Sequence, residues 1–361
     1  MKASAYRRHL LRRWTVSIWD PNHVNPYGAE FINVVAAAGF DVVAWRSRRS
    51  APIPGVRSIN WLSRSRASDG KLRALILRVL VPCIFVGWSI VKRRTIWILW
   101  TRGSLEMLIF AAVAGVWPVV FVHHNPVPDR LGNNIQQLVV GRLVRAAVGV
   151  VLHSERYAGR VSFENAETHV VPHPPYTLWR NGNLAVQPPG TQVKSAGVLY
   201  LGEIRADKGA DDLPEIIELM SSNGLHLTIV SFGQLACRLA ETYSLRNDVS
   251  FTVQQEPLSD EVVAEALRAS ELLIAPYHNA TQSGTINLAF TYGIGTIAYE
   301  SGALAEILVS ESLVNPTPVA LVGRVQSWLD RRWNCYRTTP ELVSALCIDR
   351  LKEIGDHFAS G

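Results

Sequence analysis

At 361 residues, 48% of them hydrophobic, with a formal net charge of +6, the chain is long enough for two ordinary α/β domains, each with its own core. Its four cysteines, Cys83, Cys237, Cys335 and Cys347, show no C-x-x-C spacing, which argues against a zinc site and a disulfide framework and suits a reducing cytoplasm. The charge is divided: residues 1–180 carry 24 Lys and Arg against 9 Asp and Glu (+15), and residues 181–361 carry 12 against 21 (−9), so two domains with different partners are expected.

Residues 1–13 are basic but lack the apolar stretch of a secretory signal. A strand is predicted at 14–19, a loop to Gly28, a helix at 29–38 that stops at Gly39, and a strand at 41–45. This β-α-β unit predicts a parallel sheet. The first loop has no G-x-G-x-x-G, so a dinucleotide fingerprint is absent. Residues 46–73 are rich in Arg and Lys, and residues 74–91 are strongly apolar, flanked by Lys92-Arg-Arg94. Arg78 and Pro82 interrupt that segment, so a helix lying in a membrane interface is expected in preference to a transmembrane span, with a buried core helix as the alternative.

Strands follow at 95–100, 118–122 and 147–152, with helices at 105–115 and 135–145, and residues 169–172 read as the last strand of this domain. Residues 173–195, rich in Pro, Gly and Asn, read as a linker. The alternation then restarts. Strands are predicted at 197–201, 225–230, 249–253, 272–275 and 296–299, and helices at 210–221, 235–243, 259–269, 284–292 and 303–309. The expected domains are therefore 1–175, a linker at 176–195, 196–335, and a helical segment at 336–361 able to cross back to the first. The fold class is α/β: two doubly wound, Rossmann-like domains facing a cleft, with ligands at the carboxyl ends of the strands.

Two loops of the second domain carry anion-binding chemistry. Pro276-Tyr-His-Asn-Ala-Thr-Gln-Ser-Gly-Thr285 leaves a strand and opens a helix, where Ser283, Gly284 and Thr285 leave backbone N–H groups and a helix dipole aimed at one spot. Leu201-Gly-Glu-Ile-Arg-Ala-Asp-Lys-Gly209 ends another strand. There Gly202 lets the backbone turn, and Arg205 and Lys208 could clamp a diphosphate. The plainer alternative for this loop is a solvated turn with two surface charges.

The second domain resembles the nucleotide-sugar domain of GT-B glycosyltransferases, specifically the family 4-like group. The resemblance rests on Tyr200-Leu-Gly-Glu-Ile-Arg-Ala-Asp-Lys-Gly-Ala-Asp-Asp-Leu213, Ala275-Pro-Tyr-His-Asn-Ala-Thr-Gln-Ser-Gly284, Ala289-Phe-Thr-Tyr-Gly293 and Glu300-Ser-Gly-Ala-Leu-Ala-Glu306. The first domain resembles the group more loosely, through Val122-His-His-Asn125, Leu152-His-Ser-Glu155 and Val171-Pro-His-Pro174. The resemblance implies a nucleotide-sugar donor as co-substrate and no bound cofactor. Arg205 and Lys208 would hold its diphosphate, with Gly202 in the same turn. Ser283, Gly284 and Thr285 would lie at its phosphate end, and Pro276 and Tyr277 would line the nucleoside pocket. The sequence departs from the family's Glu-x₇-Glu pattern, because Ala280 and Leu288 stand at those positions. Ribose recognition is then expected from elsewhere, with Glu306 as the candidate. Without that motif the chain also resembles bacterial exopolysaccharide transferases that act on lipid-linked sugars.

On the acceptor side, His123 and His124 end a strand and alternation sends them in opposite directions. Comparison with the family's His-Asn pair favours His124, as a hydrogen-bonding group or a proton acceptor; the alternative is a polar residue that satisfies loop backbone. Asp129, Asp20 and Glu106 are the candidate carboxylate bases, with Asp129 placed beside His124 in the catalytic set. His153 and His173 also end strands. Tyr27 and Gly28, opening the first helix, are candidates for acceptor binding. No metal site is expected, since no D-x-D stands on a strand-end loop and the two cations supply the charge.

The resulting expectation is a glycosyltransferase, moving a sugar from a UDP- or GDP-sugar to a lipid-linked saccharide. It would act in the cytoplasm, in peripheral contact with the anionic inner face of a membrane. A non-catalytic partner subunit and a nucleotide-sugar epimerase of the same fold remain alternatives. Nucleic acid is not an expected partner, because the basic residues flank an apolar segment instead of alternating with exposed aromatics.

Overall fold

Every strand pairing among the described residues is parallel, as alternation of strand and helix requires. The computed structural model describes residues 14–22, 25–62, 71–124, 134–158, 166–184, 197–280 and 283–360. The chain divides into two compact units, Met1–Pro174 with Val343–Gly361, and Pro175–Leu342.

In the first unit, β1 (Thr15–Asp20), α1 (Tyr27–Ala37), β2 (Asp41–Ser47), β3 (Arg57–Leu62), α2 (Lys71–Val91), β4 (Thr95–Ile98), α3 (Ser104–Ala114), β5 (Val119–Val122), α4 (Asn134–Ala146), β6 (Gly149–Leu152), α5 (Glu155–Ala158) and β7 (Glu167–Val170) follow in order. The seven strands lie as β3-β2-β1-β4-β5-β6-β7, so the direction of winding reverses between β1 and β4. The central strands β4, β5 and β6 are buried along their whole length, which accounts for their unbroken apolar runs. One face of the sheet is covered by α2, α3 and α4: Phe85, Phe110 and Leu143 join Trp19, Trp45, Ile96 and Val119 in a single core. Each such side chain contributes roughly 1.5–3 kcal/mol on burial.

The segment at 74–91 is thus a surface helix of the sheet with Val81, Phe85, Val86 and Ser89 turned inward. Among the described residues, no helix is long and apolar enough to cross a membrane.

The second unit contains α6 (Thr177–Leu184), β8 (Gly197–Leu201), α7 (Leu213–Ser222), β9 (Leu227–Phe232), α8 (Gln234–Thr242), β10 (Val249–Gln254), α9 (Asp260–Arg268), β11 (Ser270–Ala275), α10 (Gly284–Tyr292), β12 (Gly295–Tyr299), β13 (Leu313–Val314) and α11 (Pro318–Arg331). Its six strands lie as β10-β9-β8-β11-β12-β13, with the reversal between β8 and β11. The last helix, α12 (Pro340–Ser360), returns to the first unit from Val343 onward. There Gly355 lies so close to Trp14 and Phe40 that a Cβ would stand 3.0 Å from each ring, and the Cys347 thiol donates to the Pro172 carbonyl at 3.2 Å.

Three local expectations change. Residues 177–184, read as linker, form α6, because Tyr176 and Trp179 are buried and the Tyr176 N–H donates to Thr291 Oγ1 at 2.9 Å. The helix expected at 303–309 is only a 3-10 turn, Leu304–Glu306, since Leu308 bridges to Tyr336 and ends it. The edge strand β3 was not anticipated within its Arg-rich surroundings.

Candidate functional site

In the first unit, the loops after β1, β4, β5, β6 and β7 bring together five rings. Tyr27, at the start of α1, lies 4.3 Å from His124, 5.2 Å from His153 and 4.9 Å from His173, centroid to centroid. Trp100 stacks on His124 at 4.2 Å with an interplanar angle of 9°. This is the carboxyl edge of a doubly wound sheet around its reversal point, where ligands of such sheets bind.

The hydrogen bonds fix the tautomers. His153 Nδ1–H donates to the Val171 carbonyl at 2.8 Å, so its Nε2 accepts from the Tyr27 hydroxyl at 2.7 Å. His124 Nε2–H donates to the Leu99 carbonyl at 3.0 Å, which leaves the Nδ1 lone pair as a hydrogen-bond acceptor. Burial holds His124 well below the ordinary histidine range, and His153 and His173 nearby add to the effect. Burial also lowers His153 to about 4 and His173 to about 3. All three are neutral at pH 7. His123, by contrast, turns toward Phe121 on the other face, 5.4 Å ring to ring.

Two of the candidate carboxylates are engaged in structure. Asp20 is fully buried with Arg46, 3.5 Å away, and a Cβ on Gly28 would stand 2.2 Å from its Oδ2. Gly28 is therefore required by the carboxylate beneath the head of α1. Burial raises Asp20 to about 6 against the opposing pull of Arg46. Glu106 is buried and accepts from Arg102 N–H at 2.8 Å and from Trp19 Nε1–H at 3.4 Å. Asp129 lies outside the described residues.

In the second unit, the loops after β8 and β11 meet at the reversal of that sheet. Gly202 has φ +110°; its N–H donates to the Val230 carbonyl at 3.0 Å and its carbonyl accepts from Ser231 Oγ–H at 2.7 Å. The point where a Cβ would stand on Gly202 is 3.4 Å from Thr285 Oγ1 and 3.5 Å from Lys208 Nζ. Lys208 ends a 3-10 turn, Ala206–Lys208, and its ammonium lies 5.5 Å over the ring of the buried Tyr277.

Ser283 caps α10, its Oγ accepting from Ile286 N–H at 3.2 Å, so the first N–H groups of the helix are presented beside Thr285. Gly209, with φ +78°, lets the turn close against Pro276, whose carbonyl oxygen would be 2.3 Å from a Cβ there. Tyr200 holds the same turn from below, its hydroxyl directed to the carbonyls of Glu203 and Lys208 at 3.5 and 3.4 Å. The result is an ammonium, a hydroxyl and a helix N-terminus around one point, which is the chemistry of phosphate recognition.

Residues 195–331 match the family Glycosyl transferases group 1.

That segment holds both loops just described. Among solved structures the chain is similar to a sucrose-phosphate synthase from Thermosynechococcus elongatus (16% identity, 96% of this chain and 97% of that one, TM-score 0.63). It is also similar to the catalytic domain of starch synthase IV from Arabidopsis thaliana, bound to ADP and acarbose (10%, 97% and 100%, TM-score 0.63), and to a glycosyltransferase from Rickettsia africae (11%, 97% and 98%, TM-score 0.58). At these identities the likeness is one of fold, and the fold is that of the GT-B glycosyltransferases. No curated protein matches the chain in sequence.

Within the group 1 segment, the structure brings Gly202, Lys208, Pro276, Tyr277, Ser283, Gly284 and Thr285 into one place. Arg205 is arranged differently from Lys208. Its guanidinium is half exposed and forks onto Asp207 at 3.0 Å and Glu203 at 3.3 Å. Glu306 is exposed at the end of the 3-10 turn after β12, whose Leu304 is buried. That turn is tied to the Pro276–Thr285 loop through Ala303 N–H, which donates to the Ala280 carbonyl at 3.2 Å.

Trp100 is the residue that sequence reading missed. Among the described residues, its buried Nε1–H has no hydrogen-bond acceptor. A tryptophan ending a strand in a Trp-rich chain carries no local signal of that position.

Proposed function

We propose that the protein is a glycosyltransferase that moves a sugar from a UDP- or GDP-sugar to a lipid-linked saccharide at the inner face of a membrane, in polysaccharide or glycolipid assembly. The observation that carries this reading is the meeting of Lys208 Nζ and Thr285 Oγ1 over Gly202 at the capped head of α10. An ammonium and a helix N-terminus at one point stabilise the charge that develops on a nucleoside diphosphate as it leaves the sugar. Arg205, exposed on the same turn, adds a second cation when a diphosphate competes with its carboxylates. Pro276 and Tyr277 line the nucleoside, and Glu306 holds the ribose in place of the missing Glu-x₇-Glu pair. The charge these groups supply suits transfer without a metal ion, and activity retained in EDTA is the expected result.

In the first unit, Tyr27, Trp100 and His124 form the acceptor side. His124 accepts a hydroxyl proton in hydrogen bonding through Nδ1. Its surroundings disfavour the imidazolium, so it orients the hydroxyl, and Asp129 is the proposed base.

Incubating the protein with UDP- and GDP-sugars and a bacterial lipid extract tests the proposal. Release of UDP or GDP that depends on the lipid supports it. Absence of release from every donor, with the protein folded and lipid-linked saccharide present, would leave a non-catalytic subunit as the better reading.

A further inference from the structure

The inward stripes of α2, α3 and α4 fill one core on one face of the sheet, so their opposite stripes point away from it. The outward stripes of α2 and α3 are apolar, and that of α4 joins one leucine to arginines. On α2, Leu80 and Val91 are 52% and 78% exposed, with Ile84 between them; Leu105 and Leu108 follow on α3, and Val116 just beyond it is 70% exposed. Leu138 opens the outer stripe of α4 at 68%. These helices are neighbours in one layer, α2 against α3 and α3 against α4, so their outward side chains share a surface. Scattered exposed leucines need no explanation, but a contiguous apolar patch marks an interaction surface.

The charges on this layer are one-sided. Lys92 and Arg93 follow Val91, and Arg142 and Arg145 continue the outer stripe of α4 beyond Leu138; all four are exposed. Among the described residues from 71 to 146 the sole carboxylate is Glu106, which is buried and bound to Arg102. A second copy meeting this face with its own α2–α4 face would bring the same positive charge to the contact and be repelled. An anionic bilayer satisfies both features, since its headgroups meet the basic residues while leucines enter the acyl boundary.

We infer that the outer face of α2, α3 and α4 is the surface by which the protein docks on an anionic membrane. This deepens the proposed function by naming the face that meets the lipid, and its test uses neither donor nor acceptor.

The experiment is co-sedimentation with vesicles of mixed phosphatidylglycerol and phosphatidylcholine, and with pure phosphatidylcholine, with folding checked by circular dichroism. The wild type is expected to sediment with the anionic vesicles, and less so as salt rises or when phosphatidylglycerol is omitted. Arg142→Glu with Arg145→Glu is expected to lower partitioning by roughly thirtyfold or more, from about fivefold for each basic residue at the surface. Leu105→Ser with Leu108→Ser is expected to lower it about tenfold. Leu245→Ser, at an exposed leucine of the other unit, should change nothing. Wild type that stays in solution, or loss of binding equal in Leu245→Ser, overturns the assignment. So does a wild-type dimer, seen by light scattering, that Leu105→Ser with Leu108→Ser converts to monomer. Vesicle binding without nucleotide release would uphold this face and defeat the transferase reading; release without vesicle binding would do the reverse.

Discussion

The Lys208 ammonium and the Thr285 hydroxyl converge on Gly202, each within 3.5 Å of the position a Cβ would take there. Lys208 and Thr285 are 77 residues apart in the sequence, and they meet because β8 and β11 are neighbours at the reversal of the second sheet. Gly202 therefore serves twice: it takes up φ +110° and leaves the point open. Gly202→Ala is expected to cost about 1–3 kcal/mol in backbone strain and to weaken nucleotide binding more than it weakens the fold. Gly209→Ala meets the Pro276 carbonyl as well as a positive φ and should be the more damaging of the two. Urea denaturation and nucleotide titration of both variants check this ordering.

Asp20 and Arg46 form a buried pair beneath Gly28. Removing one partner leaves the other charge uncompensated, so Asp20→Ala should lower stability by about 3–5 kcal/mol. Asp20→Ala combined with Arg46→Met should recover a good part of that loss, as a double-mutant cycle would show. An additive double mutant would mean the two side chains act independently.

Stability should fall as the solution is acidified from neutral. His123, His153 and His173 are lowered by burial to about 4, 4 and 3, below the unfolded value of about 6.5. The unfolded chain thus binds protons first. The stability these groups contribute is full above about pH 6.5 and is lost as pH falls toward 4, at up to about 1.4 kcal/mol per histidine per pH unit. Asp20, raised from 3.8 to about 6, works in the opposite direction between those values, since its folded form keeps a proton that the unfolded form releases. The three histidines outweigh the one carboxylate. Denaturation midpoints at pH 7.5 and 5.0 should show lower stability at pH 5.0, with a smaller difference in His153→Gln. Equal stability at the two values would contradict the neutral cluster.

Much of the loop geometry of the second unit was legible in the sequence. A strand that ends in Gly202 or Pro276 and is followed by small or basic residues before a helix puts those residues at a known edge of a parallel sheet. The two loops meet because the sheet order sets β8 beside β11. Tyr27 and His124 were legible for the same reason. What could not be read was who stands beside them, because the sheet order that gathers Trp100, His153 and His173 around Tyr27 leaves no local spacing in the chain. Arg205 shows a second limit: its neighbours Glu203 and Asp207 compete for the guanidinium, and sequence alone shows the cation without showing its partners. The helix α6 was hidden because Pro, Gly and Asn mask the buried anchors Tyr176 and Trp179.

From sequence, the apolar segment at 74–91 reads as membrane-interfacial, with core as the alternative. The structure divides it by face, with Phe85 in the core and Leu80, Ile84 and Val91 outside. A period of 3.6 residues cannot separate two apolar faces of one helix.

The proposed function requires Lys208 to hold the diphosphate of a nucleotide on the second unit. Thermal shift with UDP, GDP and their sugars, wild type against Lys208→Ala, tests it most directly. The expected result is stabilisation of the wild type by one nucleotide, with affinity weakened roughly tenfold to a hundredfold in Lys208→Ala, the loss of about 1.5–3 kcal/mol typical of a hydrogen bond to a charged group. A wild type that no nucleotide stabilises, or a Lys208→Ala variant that responds equally, would contradict it.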